Sequence, residues 1–241
     1  MENRGKNKML KIPICESFVS IQGEGRGVGI PCIFIRTWGC NLRCRFNGES
    51  CDTPYSVSNI NQNSNIKSVS QIVKRIKNSK VKHIVWTGGE PMIHQDFISR
   101  VMLKLNDKRY EYNAEMETNG TIPISNKSLL MWINWFNISV KLKGSNQPTI
   151  KLDRKRINHD ALKTFPKNHS YFKFVYSNED DLIEIKNLEK QYTFPIYLMP
   201  EGIDRNTVIQ HSQKVVDVCI KNNFYFSPRE HIIIWDKKQG V

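Results

Sequence analysis

The chain has 241 residues, enough for one α/β domain with a sizeable buried core. Hydrophobic residues make up 39% and charged residues 24%, which excludes a disordered chain. No apolar run approaches the ~18–20 residues that span a bilayer. The net charge is +13, and residues 141–168 carry eight Lys or Arg against two Asp. That stretch, with Lys151, Arg154, Lys155 and Arg156, reads as a solvated face or as a docking surface for something acidic. Met1 to Lys8 is polar and basic with no apolar stretch behind it, so no secretion signal is read and a cytoplasmic protein is expected.

In chain order, the first predicted strands are Ser17–Ile21 and Cys32–Trp38. A cysteine-rich loop follows, and Ser56–Ser68, rich in Asn and Ser, reads as a further loop. Val69, Ile72, Val73 and Ile76 share a helical face, and the strand His83–Thr87 comes next. Phe97, Val101, Met102 and Leu105 mark a second helix, followed by strands Tyr112–Thr118, Phe136–Leu142 and Tyr171–Tyr176. Ser177 is the expected N-cap of a helix carrying Leu182, Ile185 and Leu188. Strand Phe194–Leu198, a helix through Val208, Val215, Val218 and Cys219, and strand Tyr225–Trp235 complete the chain. Alternation of this kind predicts a parallel sheet with crossover helices, open or closed into a barrel, with reactive residues at the carboxyl ends of strands.

Of six cysteines, Cys40, Cys44 and Cys51 crowd into one loop after a strand. Three thiolates can grip three irons of a four-iron cube and leave the fourth iron open to chemistry. Zinc is the alternative, but it needs a fourth ligand, and the nearest histidine, His83, is more than thirty residues on. Unremarkable thiols are the third reading; Cys15, Cys32 and Cys219 sit in apolar surroundings and are expected only to pack. Thr87-Gly88-Gly89-Glu90-Pro91 follows a strand directly, and its glycines let backbone approach a ligand. Glu117-Thr118-Asn119-Gly120, then Ser139 with Lys141, then Met199-Pro200-Glu201-Gly202 close later strands in the same manner, which argues for one shared pocket.

Cys40-Asn41-Leu42-Arg43-Cys44 together with Thr87–Pro91 resembles the radical S-adenosylmethionine (SAM) superfamily. Ser20-Ile21-Gln22-Gly23-Glu24-Gly25, Phe34-Ile35-Arg36 and Cys51-Asp52-Thr53-Pro54-Tyr55 narrow the likeness to the 7-carboxy-7-deazaguanine synthase family, as do Glu117–Gly120 and the ending Trp235–Val241. The resemblance implies an α/β fold, a modified partial (β/α)6 barrel, in one domain over residues 1–241. The cluster loop would span 39–55, and a C-terminal strand and tail, 224–241, would close the substrate site. It implies conversion of 6-carboxy-5,6,7,8-tetrahydropterin to 7-carboxy-7-deazaguanine with loss of ammonia, started by a radical made from SAM. A [4Fe-4S] cluster, SAM and Mg2+ are the implied cofactors. A homodimer and an acidic electron donor such as flavodoxin are the implied partners, with no direct nucleic-acid contact.

Carried over by position, Cys40, Cys44 and Cys51 would bind the cluster, and Thr53 the magnesium. Gly89, Ser139, Val140, Lys141, Met199, Pro200, Glu201 and Gly202 would contact SAM. Ile21, Gln22, Gly23, Arg36, Thr87 and the carboxylate of Val241 would contact substrate. Arg36 suits the pterin carboxylate and Gln22 a pterin edge. The family spaces its cysteines C-x3-C-x2-C with an aromatic residue before the third. Here Asn47–Ser50 is inserted, Ser50 precedes Cys51, and Phe46 is expected to cover the adenine. Val140 also replaces the family's proline between Ser139 and Lys141. Two rivals stand: another radical SAM reaction, such as a glycyl-radical activase, and a zinc-stabilised nucleic-acid-binding module.

Overall fold

Along Asn113-Ala114-Glu115-Met116-Glu117-Thr118 small or apolar side chains alternate with polar ones, and this period of two organises most of the sheet. The computed structural model describes residues 10–46, 49–51, 53–57, 65–107 and 111–241. A long strand, β1 (Lys11–Ile21), pairs antiparallel with β2 (Pro31–Thr37). Two short strands, β3 (Arg45–Phe46) and β4 (Glu49–Ser50), pair only with each other, while β5 (Ile66–Ser68) lies antiparallel to the start of β1. The chain continues through α1 (Val69–Ser79), β6 (His83–Gly88), α2 (Gln95–Leu105), β7 (Asn113–Thr118), α3 (Leu129–Trp132) and β8 (Trp135–Ile138). It ends with α4 (Ile150–Asp153), α5 (His159–Leu162), β9 (Ser170–Tyr176), α6 (Glu179–Gln191), β10 (Ile196–Pro200), α7 (Arg205–Asn222), β11 (Tyr225–Phe226) and α8 (Glu230–Trp235).

The sheet runs β11-β10-β9-β8-β7-β6-β2-β1-β5. From β2 to β10 all neighbours are parallel and follow chain order. Successive βα units therefore wind the same way round, and the sheet stays open at β5 and β11: the expected partial barrel. Ile33, Ile35, Ile84, Trp86, Ala114, Met116, Phe136, Ile138, Phe172, Phe174, Ile196 and Leu198 join the core under the helices. The residues between them, including Arg36, Thr87, Glu115, Glu117 and Lys173, are left for the concave face. Parallel strands buried on both faces usually read as unbroken apolar runs. The polar half of the alternation here marks an inner face built to hold something polar.

Several expected boundaries change. β1 begins at Lys11 rather than Ser17, because Lys11, Ile12 and Pro13 pair with Ser68, Lys67 and Ile66. The same pairing turns the end of the expected Ser56–Ser68 loop into β5; residues 58–64 lie outside the described residues. The expected strand Phe136–Leu142 stops at Ile138, so Ser139, Val140 and Lys141 lie beyond its end. Asn178, not Ser177, caps α6: its side chain accepts from the backbone N–H groups of Asp180 and Asp181. The expected strand Tyr225–Trp235 is two residues of strand followed by α8, with Pro228 between them. No helix among the described residues is long and apolar enough to cross a membrane.

Candidate active site

The cysteine loop leaves β2 and lies across the carboxyl end of β6. The backbone N–H of Gly89 donates to the Thr37 carbonyl at 3.2 Å, and that of Glu90 to the Gly39 carbonyl at 2.8 Å. A Cβ on Gly89 would sit 2.2 Å from the Gly39 oxygen and 3.0 Å from the Cys40 Cβ, so only glycine permits this approach. Glu90 holds the other side: its oxygens accept from the Thr118 hydroxyl at 2.7 Å, the Asn119 N–H at 2.7 Å and the Met92 N–H at 3.0 Å. Burial raises Glu90 above the usual carboxylate range against the pull of these donors. Asn119 in turn donates to Asn41 at 2.9 Å, and Asn41 to Thr121 at 2.7 Å. The turns after β2, β6 and β7 are thus one unit.

Within the loop, the inserted Glu49 and Ser50 form one strand of a small two-stranded pair. Arg45 pairs with Ser50 and Phe46 with Glu49, and the Cys51 N–H donates to the Cys44 carbonyl at 3.2 Å. Cys44 and Cys51 therefore face each other at the hairpin base in spite of six intervening residues. Asn47 and Gly48 lie outside the described residues, as does the side chain of Phe46 that was expected over the adenine. Arg43 donates to the carbonyls of Cys40 at 2.6 Å and Leu42 at 2.7 Å. Gln147 braces the loop, with its Oε1 2.9 Å from the Arg43 nitrogen and its Nε2 3.1 Å from Cys44 Sγ.

Among the described residues no three His, Cys, Asp or Glu side chains converge on a single ion. The donor set is three soft sulfurs in one loop, which suits a multi-iron cluster, whose ligands bind separate irons. Burial pushes the Cys40 thiol up to about 11, so a proton leaves as metal binds. Cys32 and Cys219 are buried and their thiols are raised by burial, in keeping with simple packing.

Below the loop, the concave face holds a charged network. Gln22, at the end of β1 and buried, donates its amide to Glu115 and, at 3.3 Å, to Glu117. Thr87 donates to the other oxygen of Glu117 at 2.7 Å. Lys173 on β9 is 2.5 Å from Glu24 and 3.7 Å from Glu117. Arg229, just before α8, is 3.2 Å from Glu24 and also donates to the Gly202 carbonyl. His231 is 3.8 Å from Glu24, and its ring would meet any Cβ placed on Gly23. Burial alone would raise Glu24, but Lys173, Arg229 and His231 hold it well below the usual carboxylate range. Glu117 goes the other way: burial, with Glu24 and Glu115 nearby, outweighs Lys173 and Thr87 and raises it.

Arg36, next to last in β2, pairs with Thr87 of β6. Its Nε lies 2.6 Å from Glu16, its guanidinium lies 6.0 Å over the Tyr55 ring, and its Nη nitrogens make no hydrogen bond among the described residues. Gly240 of the tail reaches the same place, where a Cβ would come 4.0 Å from Glu16. Arg36 and Thr87 are thus neighbours across β2 and β6, Thr87 and Gln22 share Glu117, and the tail comes near Arg36 through Glu16. Around the loop, Ser139 donates its N–H to Thr118 at 2.7 Å. The positive charge of Lys141 acts on both Cys40 and Glu90. The Val140 side chain belongs to the core beside Gly120. Met199 and Pro200 are buried at the end of β10, Glu201 is half-buried, and Gly202 packs against Val208. Thr53 is half-buried just before the turn Pro54–Ser56.

The partial barrel, the three-thiol loop and the glycine turn beneath it define a radical SAM enzyme, and the profile of the Radical SAM superfamily matches residues 34–168. A 7-carboxy-7-deazaguanine synthase from Halobacterium salinarum is 30% identical over 242 residues, covering 93% of this chain and 91% of that protein. One from Pyrobaculum aerophilum is 29% identical over 238 residues, covering 95% and 97%. The crystal structure of QueE from Escherichia coli shares the fold with a TM-score of 0.66 at 22% identity, over 92% of this chain and 95% of that one. The chain belongs to the 7-carboxy-7-deazaguanine synthase family. Membership decides between the readings that the cysteines left open, and with it come a [4Fe-4S] cluster and SAM. Sequence reasoning passed over Lys173, Arg229 and His231 altogether, and it met Glu24 and Glu117 only inside motifs, without a role of their own. The available signal was a lone lysine in the otherwise apolar run Tyr171-Phe172-Lys173-Phe174-Val175.

Proposed function

We propose that this chain converts 6-carboxy-5,6,7,8-tetrahydropterin to 7-carboxy-7-deazaguanine with release of ammonia. The observation that carries the reading is the Nη pair of Arg36, without a hydrogen bond among the described residues, on the strand beside Thr87 of the Gln22–Thr87–Glu117–Lys173 network. A guanidinium fork of this kind takes a carboxylate through two parallel bonds. Gln22 and Thr87 then offer a donor and acceptor edge to the pterin ring, Lys173 and Glu117 sit where protons are taken or given, and Ile21 and Gly23 shape the wall. Cys40, Cys44 and Cys51 would hold the cluster. Gly89, Lys141, the backbone at Ser139 and Val140, and the Met199–Gly202 turn would hold SAM. Together these groups, when bound, supply a carbon-centred radical that no side chain could provide.

Thr53 offers a hard oxygen for Mg2+, and the tail through Val241 closes the cavity over Arg36. We place the protein in the cytoplasm as a homodimer reduced by an acidic flavin carrier. Lys151, Arg154 and Lys155, all exposed, form the docking face. Arg156, grouped with them by sequence, is instead held internally by Glu184 at 2.5 Å, Asp153 at 3.2 Å and the Lys141 carbonyl at 3.2 Å. The test is an anaerobic assay of the iron-loaded chain with the carboxylated tetrahydropterin, SAM and Mg2+, read by mass spectrometry. The deazaguanine product is expected; a loaded enzyme that cleaves SAM but leaves the pterin unchanged would refute the assignment.

A further inference from the structure

We infer that Gln147 tunes the reduction potential of the cluster by donating a hydrogen bond to the Cys44 sulfur; the inference rests on the reading of Cys40, Cys44 and Cys51 as cluster ligands. Gln147 belongs to none of the motifs that mark the family here, and it lies 103 positions from Cys44 in the chain. Its amide orientation is fixed by chemistry. The Arg43 backbone nitrogen can only donate, so the Gln147 atom 2.9 Å from it is the oxygen. Nε2 is thereby turned to Cys44 Sγ at 3.1 Å, with Ser145 Oγ at 3.4 Å for its second hydrogen.

Other N–H groups also approach the ligand sulfurs. The Leu42 N–H is 3.5 Å from Cys40 Sγ, and Asn119 Nδ2 is 3.9 Å from it. Gln147 makes the shortest of these contacts. A donor shared with a thiolate withdraws negative charge from the cluster. It favours the reduced form, which carries one more electron, over the oxidised form, and so raises the potential. Gln147 is held at both ends, so the donor is already in position before any electron arrives.

The experiment is a redox titration of the reconstituted full chain under anaerobic conditions, followed by electron paramagnetic resonance with iron and sulfide analysis. Dithionite supplies the single electron that takes each cluster from the 2+ to the 1+ state, with no bond made or broken. Gln147→Leu removes both halves of the bridge, and Gln147→Glu keeps an oxygen for the Arg43 N–H while removing the donor. Both variants are expected to hold parental iron with midpoints shifted to more negative values, Gln147→Glu further because it adds charge. A loaded Gln147→Leu with the parental midpoint overturns the inference. Should Gln147→Leu lose iron, Gln147→Glu decides: a loaded variant with the parental midpoint overturns it. Loss of iron in both variants also overturns it, since Gln147 would then be only a brace. A parental chain that takes up no iron overturns the cysteine-loop reading and this inference together.

Discussion

Glu16 grips Arg36 from the side: Oε1 lies 2.6 Å from Arg36 Nε and also accepts from the Tyr55 hydroxyl at 3.1 Å. The guanidinium is thereby fixed through Nε, 6.0 Å over the Tyr55 ring. Removing the fork forfeits a charge-assisted pair of about 1.5–3 kcal/mol, so Arg36→Ala should raise KM for the pterin roughly ten- to a hundred-fold at unchanged iron content. Glu16→Ala leaves the fork but frees its Nε, and a smaller rise is expected. Steady-state kinetics on both variants decide this; a parental KM in loaded Arg36→Ala removes Arg36 from the site.

Cys51 differs from the other cysteines of the loop in its long spacing from Cys44, which the hairpin absorbs. Cys51→Ala should abolish cluster loading and SAM cleavage, whereas Cys15→Ala, Cys32→Ala and Cys219→Ala should spare both. Iron analysis and the visible absorption band measure this. Wild-type loading in Cys51→Ala would count against the hairpin as a ligand frame.

The Glu24 network carries a pH signature. The folded carboxyl lies below its ordinary 4.5, so it contributes stability above about pH 4.5 that is lost as pH falls through the lowered folded value. Glu24→Gln removes that contribution. The stability gap between parent and variant, from denaturant unfolding, should be widest near neutral pH and close in acid. A gap of constant size from pH 7 to pH 3 would argue against the lowered value. Lys173→Met should cost more, about 3–5 kcal/mol, because it takes the cation from Glu117 and leaves Glu24 only Arg229 and His231.

Gly89→Ala puts a methyl group 2.2 Å from the Gly39 backbone oxygen, a clash that no side-chain rotation relieves. The cysteine loop must then lift from β6. We expect loss of both iron loading and SAM binding with only a modest drop in Tm, measured by calorimetry of the same samples. Full loading in this variant would mean that the loop is less closely seated than the glycine contact requires.

Carrier docking has a kinetic readout. Exposed Lys151, Arg154 and Lys155 attract an acidic protein over a Debye length of ~8–10 Å at ordinary ionic strength. When reduction limits turnover, a flavin-protein donor should become steeply less effective with added salt, and a small chemical reductant much less so. Equal salt sensitivity with the two donors would remove the docking role. Neutralising Lys151, Arg154 and Lys155 together should mimic the salt effect; Arg156 is left in place, because changing it would strip Glu184 of a partner.

What the sequence revealed was local: period-two strands, the thiol spacing and glycines at strand ends each sit within a few residues of one another. What it concealed was assembled over distance. Lys173 and Glu24 are 149 positions apart, and Arg229 and Glu24 are 205, so no spacing rule joins them. The Ile232-Ile233-Ile234 run favours strand by side-chain type. Arg205 overrides it by donating to the carbonyls of Ile233 and Ile234, which holds the segment as the last turn of a helix. One-turn helices such as Leu129–Trp132 and Ile150–Asp153 are too short to display a period at all.

The hairpin between Cys44 and Cys51 makes the cluster loop extensible. Residues added between Phe46 and Glu49 lengthen the far end while the base pairing stays in register, and the entropic cost grows only slowly with loop length. A short peptide could be grafted there, an epitope or a fluorophore tag, without respacing the thiols. The same graft between Cys40 and Cys44 would pull Arg43 from the carbonyls it caps. Two gaps in one loop thus differ in how freely evolution or an engineer can rewrite them.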